Sequence, residues 1–210
     1  MSSVEIHYTT DNSEPTRESP SFTTPFTINQ TTTIKARSFA FGNESLVATA
    51  KFFRIPHDWS LQLLSRYSSQ YTGGGDFALI DGIRGTTNWS GGAWQGYQGR
   101  DFVGIIDLGS VQTVSKFGAG FLQDVGSWIW MPRRVEYEVS VDGKTFNPVT
   151  TVSNDVPDNR TGVVIKEFVG SGTAQARYVR VRAVNYGPIP DWHPGIGGQS
   201  WIFVDEIYVE

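Results

Sequence analysis

Apolar and polar residues alternate along most of this chain with a period of two, the spacing that puts successive side chains on opposite faces of a strand. Val4, Ile6 and Tyr8 alternate with Glu5, His7 and Thr9, and Thr32, Ile34, Ala36 and Ser38 alternate against Lys35 and Arg37. Val135, Tyr137, Val139 and Val141 alternate with Glu136, Glu138 and Ser140 before an Asp142-Gly143 turn, and Val179, Val181 and Ala183 alternate with Tyr178, Arg180 and Arg182. Val103 to Leu108 is a further strand, closed by Gly109. Helical spacing is expected only as one short turn around Leu61 to Tyr67, and no long repeat is present. The pattern predicts an all-β chain.

Turn residues separate these runs. Thr10-Asp11-Asn12-Ser13-Glu14-Pro15 is a turn cluster, Pro25 and Asn29 punctuate the next pair, and Phe41-Gly42-Asn43 leads into a strand from Leu46 to Phe53. Ile55-Pro56-His57-Asp58 reads as a linker, because the residue before a proline is driven to extended conformations. The expected organisation is a small module over 1–54, a linker over 55–58 and a second β domain over 59–210. The first strand starts almost without a lead-in, so we expect the chain to be cut from a longer one.

Composition removes several classes of function. The chain has 210 residues, a net charge of -4 and no Lys/Arg-rich run, which excludes nucleic acid as an expected partner. Without cysteine there is no disulfide, thiolate metal site or Cys nucleophile. No apolar run is long enough for a transmembrane segment. The sequence lacks G-x-S-x-G, P-loop, G-x-G-x-x-G and H-E-x-x-H motifs, and His7, His57 and His193 are far apart, so catalysis is not expected.

Two sets of residues carry candidate chemistry. Trp94, Tyr97, Trp128, Trp130 and Trp192 sit among Gly, Gln, Ser and Pro in expected loops. Such a ring either plugs the core locally or takes the C–H face of a sugar, with Gln95, Gln123, Asp124, Asn185 and His193 nearby as hydrogen-bonding groups. His193, between Trp192 and Pro194, is either a packed loop residue or a ligand-contacting one. The second set is Asp205-Glu206 in the last strand. Strict alternation from Trp201 to Val209 sends one of the two carboxylates toward the sandwich unless a bulge intervenes. A buried carboxylate then needs a metal, an arginine or hydrogen bonds.

Two resemblances extend this reading. Tyr8-Thr9-Thr10-Asp11 with Glu14-Pro15-Thr16, then Thr31-Thr32-Thr33-Ile34-Lys35-Ala36, resemble the fibronectin-III-associated C-terminal module of chitobiases and β-hexosaminidases, in which a strand precedes this motif. Ala78-Leu79-Ile80-Asp81-Gly82, Thr87-Asn88-Trp89, Ile106-Asp107-Leu108-Gly109, Ser140-Val141-Asp142-Gly143 with Phe146, Ala176 to Val181, and Asp205-Glu206-Ile207 form an ordered series. That series resembles the discoidin (coagulation factor C-type) domain and, within it, carbohydrate-binding module family 32. The tandem is similar to the C-terminal region of glycoside hydrolase family 20 β-N-acetylhexosaminidases.

The resemblance implies a small immunoglobulin- or fibronectin-like β-sandwich, truncated at its N-terminus, followed by a discoidin-type jelly roll. It implies core positions for Trp89 and Trp201 and a structural calcium held by Asp81, Glu206, Thr87 and carbonyls near Leu79. Arg84 stands near a position where the family often has Asp or Asn, and its pairing with Asp81 or Glu206 is the alternative to the ion. A glycan site on the loops at one end is implied as well. The expected function is non-catalytic: targeting a secreted, periplasmic or cell-envelope β-N-acetylhexosaminidase to glycans with hexosamine or galactose residues. The alternative is a pair of modules docked on the parent's catalytic domain without binding sugar. A hydrolase in its own right is disfavoured, because family 20 enzymes use their neighbouring Asp and Glu on a (β/α)8 barrel that this chain lacks.

Overall fold

Among the described residues the named strands all pair antiparallel, and the pairing falls into two separate units, residues 1–56 and 57–210. The computed structural model describes residues 4–210 apart from Phe53 and Pro56. The end of the expected 46–53 strand, one linker residue and the Met1-Ser2-Ser3 start therefore lie outside the described residues.

The first unit contains β1 (Glu5–Thr9), β2 (Thr32–Ala40), β3 (Asn43–Glu44) and β4 (Ala48–Phe52) in one antiparallel sheet. β2 lies at the centre, with Tyr8 opposite Ala36 on one side and Ala36 opposite Ala48 on the other. Phe41 and Gly42, both at positive φ (51° and 80°), make the tight reversal between β2 and β3. One face is closed by His7 and Phe39, whose rings meet edge-on at 5.3 Å under Arg17. The other face, with Ile6, Tyr8, Ile34 and Phe52, lines an open concavity of about 380 Å³.

The second unit contains β5 (Ser60–Leu63), β6 (Gln95–Gln98), β7 (Phe102–Gln123), β8 (Arg134–Ser140), β9 (Asn147–Ser153), β10 (Val164–Val184) and β11 (Trp201–Val209). β7 and β10 are long because each crosses both layers of the sandwich. The first part of β7 pairs with β5 and with the last part of β10, which in turn carries β8 and then β9. The last part of β7 pairs with the first part of β10 and with β11, which carries β6. Irregularities in β10 between Ser171 and Ala174 and between Ala176 and Tyr178 mark the crossing. The layers meet across a core in which the Phe117 and Tyr137 rings are 5.6 Å apart and the Tyr137 hydroxyl donates to the Phe168 carbonyl at 2.6 Å. This is the all-β jelly-roll sandwich.

One local expectation is corrected, and in β11 the bulge that the sequence left open is realised. The segment expected as a helical turn from Leu61 starts as strand β5, with Leu61 opposite Ile106 and buried in the core. Burial of that leucine in the ladder overrides the short local pattern. The alternation in β11 is broken, because Val204 pairs with Phe121 but Ile207 with Ala119, one residue too many for a regular ladder. This bulge buries both carboxylates, Asp205 at 2% and Glu206 at 6% exposure, instead of one.

Candidate functional site

At one end of the sandwich, residues 124–133 and 185–200 come together. Asp124 and Ile129 exchange backbone hydrogen bonds at 3.0 and 3.1 Å around a single 3-10 turn, Val125–Ser127. The Asp124 carboxylate holds this turn by accepting from Ser127 Oγ (2.6 Å) and from the Trp89 indole N–H (3.1 Å). Trp128 follows in the left-handed region (φ 64°), where a bulky residue is strained by about 1–3 kcal/mol. Its carbonyl accepts from the Trp201 N–H, so β11 helps to hold that conformation.

The second loop is held from inside. The Asn185 side chain donates to the Arg100 carbonyl (3.1 Å) and accepts from the Gly187 N–H and Ser200 Oγ (2.8 Å each), while its own N–H donates to Asp101. His193 Nδ1 accepts from the Gly195 N–H at 3.0 Å. Gly195 is needed where the loops touch: a Cβ there would stand 2.8 Å from the Trp128 ring. Trp130 fills the space beneath, stacked on Tyr186 (5.5 Å) and edge-on to His193 (5.2 Å) and Trp192 (6.5 Å).

The eight residues expected to contact glycan therefore divide into two groups. Trp128 and Trp192 are exposed, by 40% and 52%. Trp94, Tyr97, Gln123, Trp130, Asn185 and His193 are buried. Tyr97 is on strand β6 rather than a loop, with its hydroxyl on Gln95 Oε1, and burial pushes its phenol well above the usual range. The Trp94 indole donates to the Thr86 carbonyl and packs on Leu122, Ile129 and Phe203. Gln123 donates to the Pro157 carbonyl and accepts from the Met131 N–H, and Trp130 donates to the Asp158 carbonyl. These side chains are buried and bonded within the protein, so they are not free to face a ligand. Trp89 and Trp201 pack at the edge of the Trp94 cluster, half-buried. The sequence reading missed Tyr186, whose hydroxyl donates to Asp158 (2.7 Å), and the exposed Ile196. Their only sequence signal was their place between Asn185 and Gly198.

At a separate corner, the 3-10 turn Ala78–Ile80 leads into Asp81, which faces Glu206 of β11. Burial first, and the Asp81 charge second, push Glu206 up to about 8; burial also raises Asp81 and Asp205. Glu206 accepts from the Gly82 N–H (3.1 Å), Asp81 from the Ile83 N–H (2.8 Å) and Asp205 from the Gly85 N–H (2.9 Å). Arg84 does not pair with Asp81 or Glu206; its guanidinium is directed to Glu167 (3.1 Å) and Asp205 (3.7 Å). Leu79 is buried in the turn and Thr87 is exposed. Among the described residues no group of three or more His, Cys, Asp or Glu side chains converges, so a cation here would depend on main-chain carbonyls. Asp81 and Glu206 face each other and, among the described residues, neither forms an ion pair with a cationic side chain, and carboxylate oxygens are the ligands that a hard divalent ion takes.

Comparison with known proteins adds the following. Residues 1–52 match the family model described as Fn3 associated. A comparison with curated proteins gave no match. Solved structures with a similar chain path include a family 32 carbohydrate-binding module of Clostridium perfringens in complex with GalNAc-β-1,3-galactose (18% identity, 72% of this chain and 94% of that one, TM-score 0.44). The family 32 module of NanJ from the same organism, in complex with galactose, is 14% identical over 72% of this chain and 92% of its own, with a TM-score of 0.45. The C-terminal domain of a chitobiase from Bacteroides fragilis is 18% identical over 75% and 95%, with a TM-score of 0.42. The F5/8 type C domain model matches residues 64–205, most of the chain, and the protein belongs to that family.

Proposed function

We propose that residues 57–210 are a non-catalytic glycan-binding module, with Trp128 and Trp192 as its sugar-contacting rings. The observation that carries this reading is the pairing of two exposed tryptophans with loops that are hydrogen-bonded from beneath, Trp128 being kept in a strained backbone conformation. An indole ring offers an apolar face to the C–H side of a pyranose, and a pre-ordered loop loses little entropy on binding. Similar solved modules carry galactose or GalNAc-containing sugars in their descriptions, which supports hexosamine and galactose as first ligands to try. The tandem with an Fn3-associated module supports a parent β-N-acetylhexosaminidase whose catalytic domain lies elsewhere and which acts in a secreted, periplasmic or cell-envelope setting. No helix among the described residues is long and apolar enough to cross a membrane.

In the same reading, Asp81 and Glu206, with carbonyls near Leu79 and with Thr87, hold one calcium ion. Its charge would neutralise the two carboxylates and fasten the 78–87 segment to β11.

Titration of the chain with hexosamines and galactosides tests the proposal. A shallow two-ring site should give a dissociation constant on the order of 0.1–10 mM. Trp128→Ala and Trp192→Ala should lose detectable binding with little change in melting temperature. A full panel without a binder would overturn the proposal and leave Trp128, Trp192 and Ile196 as a docking patch for the parent's catalytic domain.

A further inference from the structure

Two arginines at the same end of the sandwich serve no internal purpose. Arg66, on the loop after β5, and Arg100, on the turn between β6 and β7, line one concavity of about 220 Å³ with Tyr67, Ser68, Gln98 and Trp201. Both side chains are exposed and, among the described residues, neither forms an ion pair. Arg100 Nε reaches only the Gln98 carbonyl, at 3.4 Å. The carboxylates nearby in sequence are committed elsewhere: Asp101 to Arg182 (2.6 Å) and the Asn185 N–H (2.9 Å), Asp76 to the Tyr67 hydroxyl (2.7 Å). In a chain of net charge -4, a concavity edged by two unpaired guanidinium groups stands out as locally positive.

The remaining lining residues fit a sugar. Trp201 is half-buried and held edge-on by Tyr71 at 5.3 Å, so its ring is a fixed wall. Gln98 and Ser68 add an amide and a hydroxyl. The concavity is continuous by bonding with the tryptophan loops, since the Trp201 N–H donates to the Trp128 carbonyl and the Arg100 carbonyl accepts from Asn185. Its volume is below the roughly 300–1,000 Å³ of drug-sized clefts and matches one small ring. Arg66 to Ser68 also wall a neighbouring concavity of about 720 Å³, which leaves room for further units.

We propose that this concavity is an acidic-sugar subsite: Arg66 and Arg100 take the carboxylate of a uronic acid unit, Trp201 supports its C–H face, and Gln98 and Ser68 bond its hydroxyls. The module then selects acidic over neutral saccharides. This rests on the glycan-binding reading above. The planar guanidinium is suited to the task because it presents paired N–H donors to a carboxylate, whereas a neutral hydroxymethyl group at the same position satisfies neither charge.

The test is titration of the full chain with galacturonate and galactose, which share ring stereochemistry, at constant ionic strength, with sodium sulfate as a bare anion. Galacturonate should bind roughly tenfold or more tightly than galactose, and its affinity should fall as sodium chloride rises. Arg66→Gln and Arg100→Gln, each with an unchanged melting temperature, should remove most of that preference. Lys144→Gln, an equal charge change on the exposed turn after β8, should leave it intact. Equal affinity for the two sugars, a preference that survives both arginine variants, or displacement of galacturonate by an equal concentration of sulfate would overturn the subsite. Galactose binding that needs Trp128 but shows no acid preference would remove the subsite alone, whereas no binding of any sugar would remove both readings.

Discussion

The two units use the same strand grammar and reach different degrees of closure. In the second, the inner faces of the long strands β7 and β10 meet the opposite layer, and Phe117, Phe121, Tyr137, Phe168 and Ile202 are all wholly buried. In the first, β2 collects neighbours on both edges but covers one face only. Phe39 and His7 are buried on that face, while Ile6, Phe22, Phe26 and Phe52 on the other remain 42–47% exposed. The difference teaches that alternation specifies which residues share a face, while burial requires a second layer for that face to meet.

Core truncation should separate the units most widely. Phe121→Ala should cost about 3–5 kcal/mol by removing a fully enclosed ring, whereas Phe52→Ala should cost about 0.5 kcal/mol. Denaturant unfolding of each variant measures this, and comparable costs would mean that the open face of the first unit is covered in solution.

The next effect comes from the acidic corner, which has no counterpart among the described residues of the first unit. Glu206 is raised in the folded state, so between its ordinary 4.5 and about 8 the folded chain keeps a proton that the unfolded chain has released. In chelator, stability should therefore fall as pH rises through that window, by on the order of a few kcal/mol. Glu206→Gln should flatten the fall, and calcium should raise the melting temperature of the native chain at pH 8 but not that of the variant. A flat profile for the native chain in chelator would remove the unpaired-charge account.

Smaller still is the contrast between buried polar groups. Asn185→Ala strips several bonds from a buried network and should cost about 1–3 kcal/mol; Thr9→Ala loses one hydroxyl bond to the Ser13 carbonyl and should cost about 0.5–1.5 kcal/mol. Thermal melts rank them, and the reverse order would show that the loops around Asn185 relax freely once it is gone.

Much of the architecture was legible in the residues. Alternation located β1, β2, β8 and the last part of β10 because a strand exposed on one side must alternate, and Asp142-Gly143 marked a turn in which Asp142 accepts from both the Lys144 and Thr145 N–H groups. The site was legible only as a set of loops. Trp94, Trp128, Trp130 and Trp192 share the same kind of Gly-, Gln- and Pro-rich context, yet Trp94 lies under β11, Trp130 lies under Tyr186, and only Trp128 and Trp192 face outward. Nothing local distinguishes them, since each fate depends on segments distant in the chain. Arg66 and Arg100, 34 residues apart, meet around one concavity for the same reason. The sequence by itself determined the period of the strands, the turns and the absence of thiol chemistry, because these are properties of neighbouring residues. The tertiary structure alone decided which rings are buried, where β11 bulges and which charges are left without partners, because burial and charge pairing are set by the segments that arrive from elsewhere in the chain.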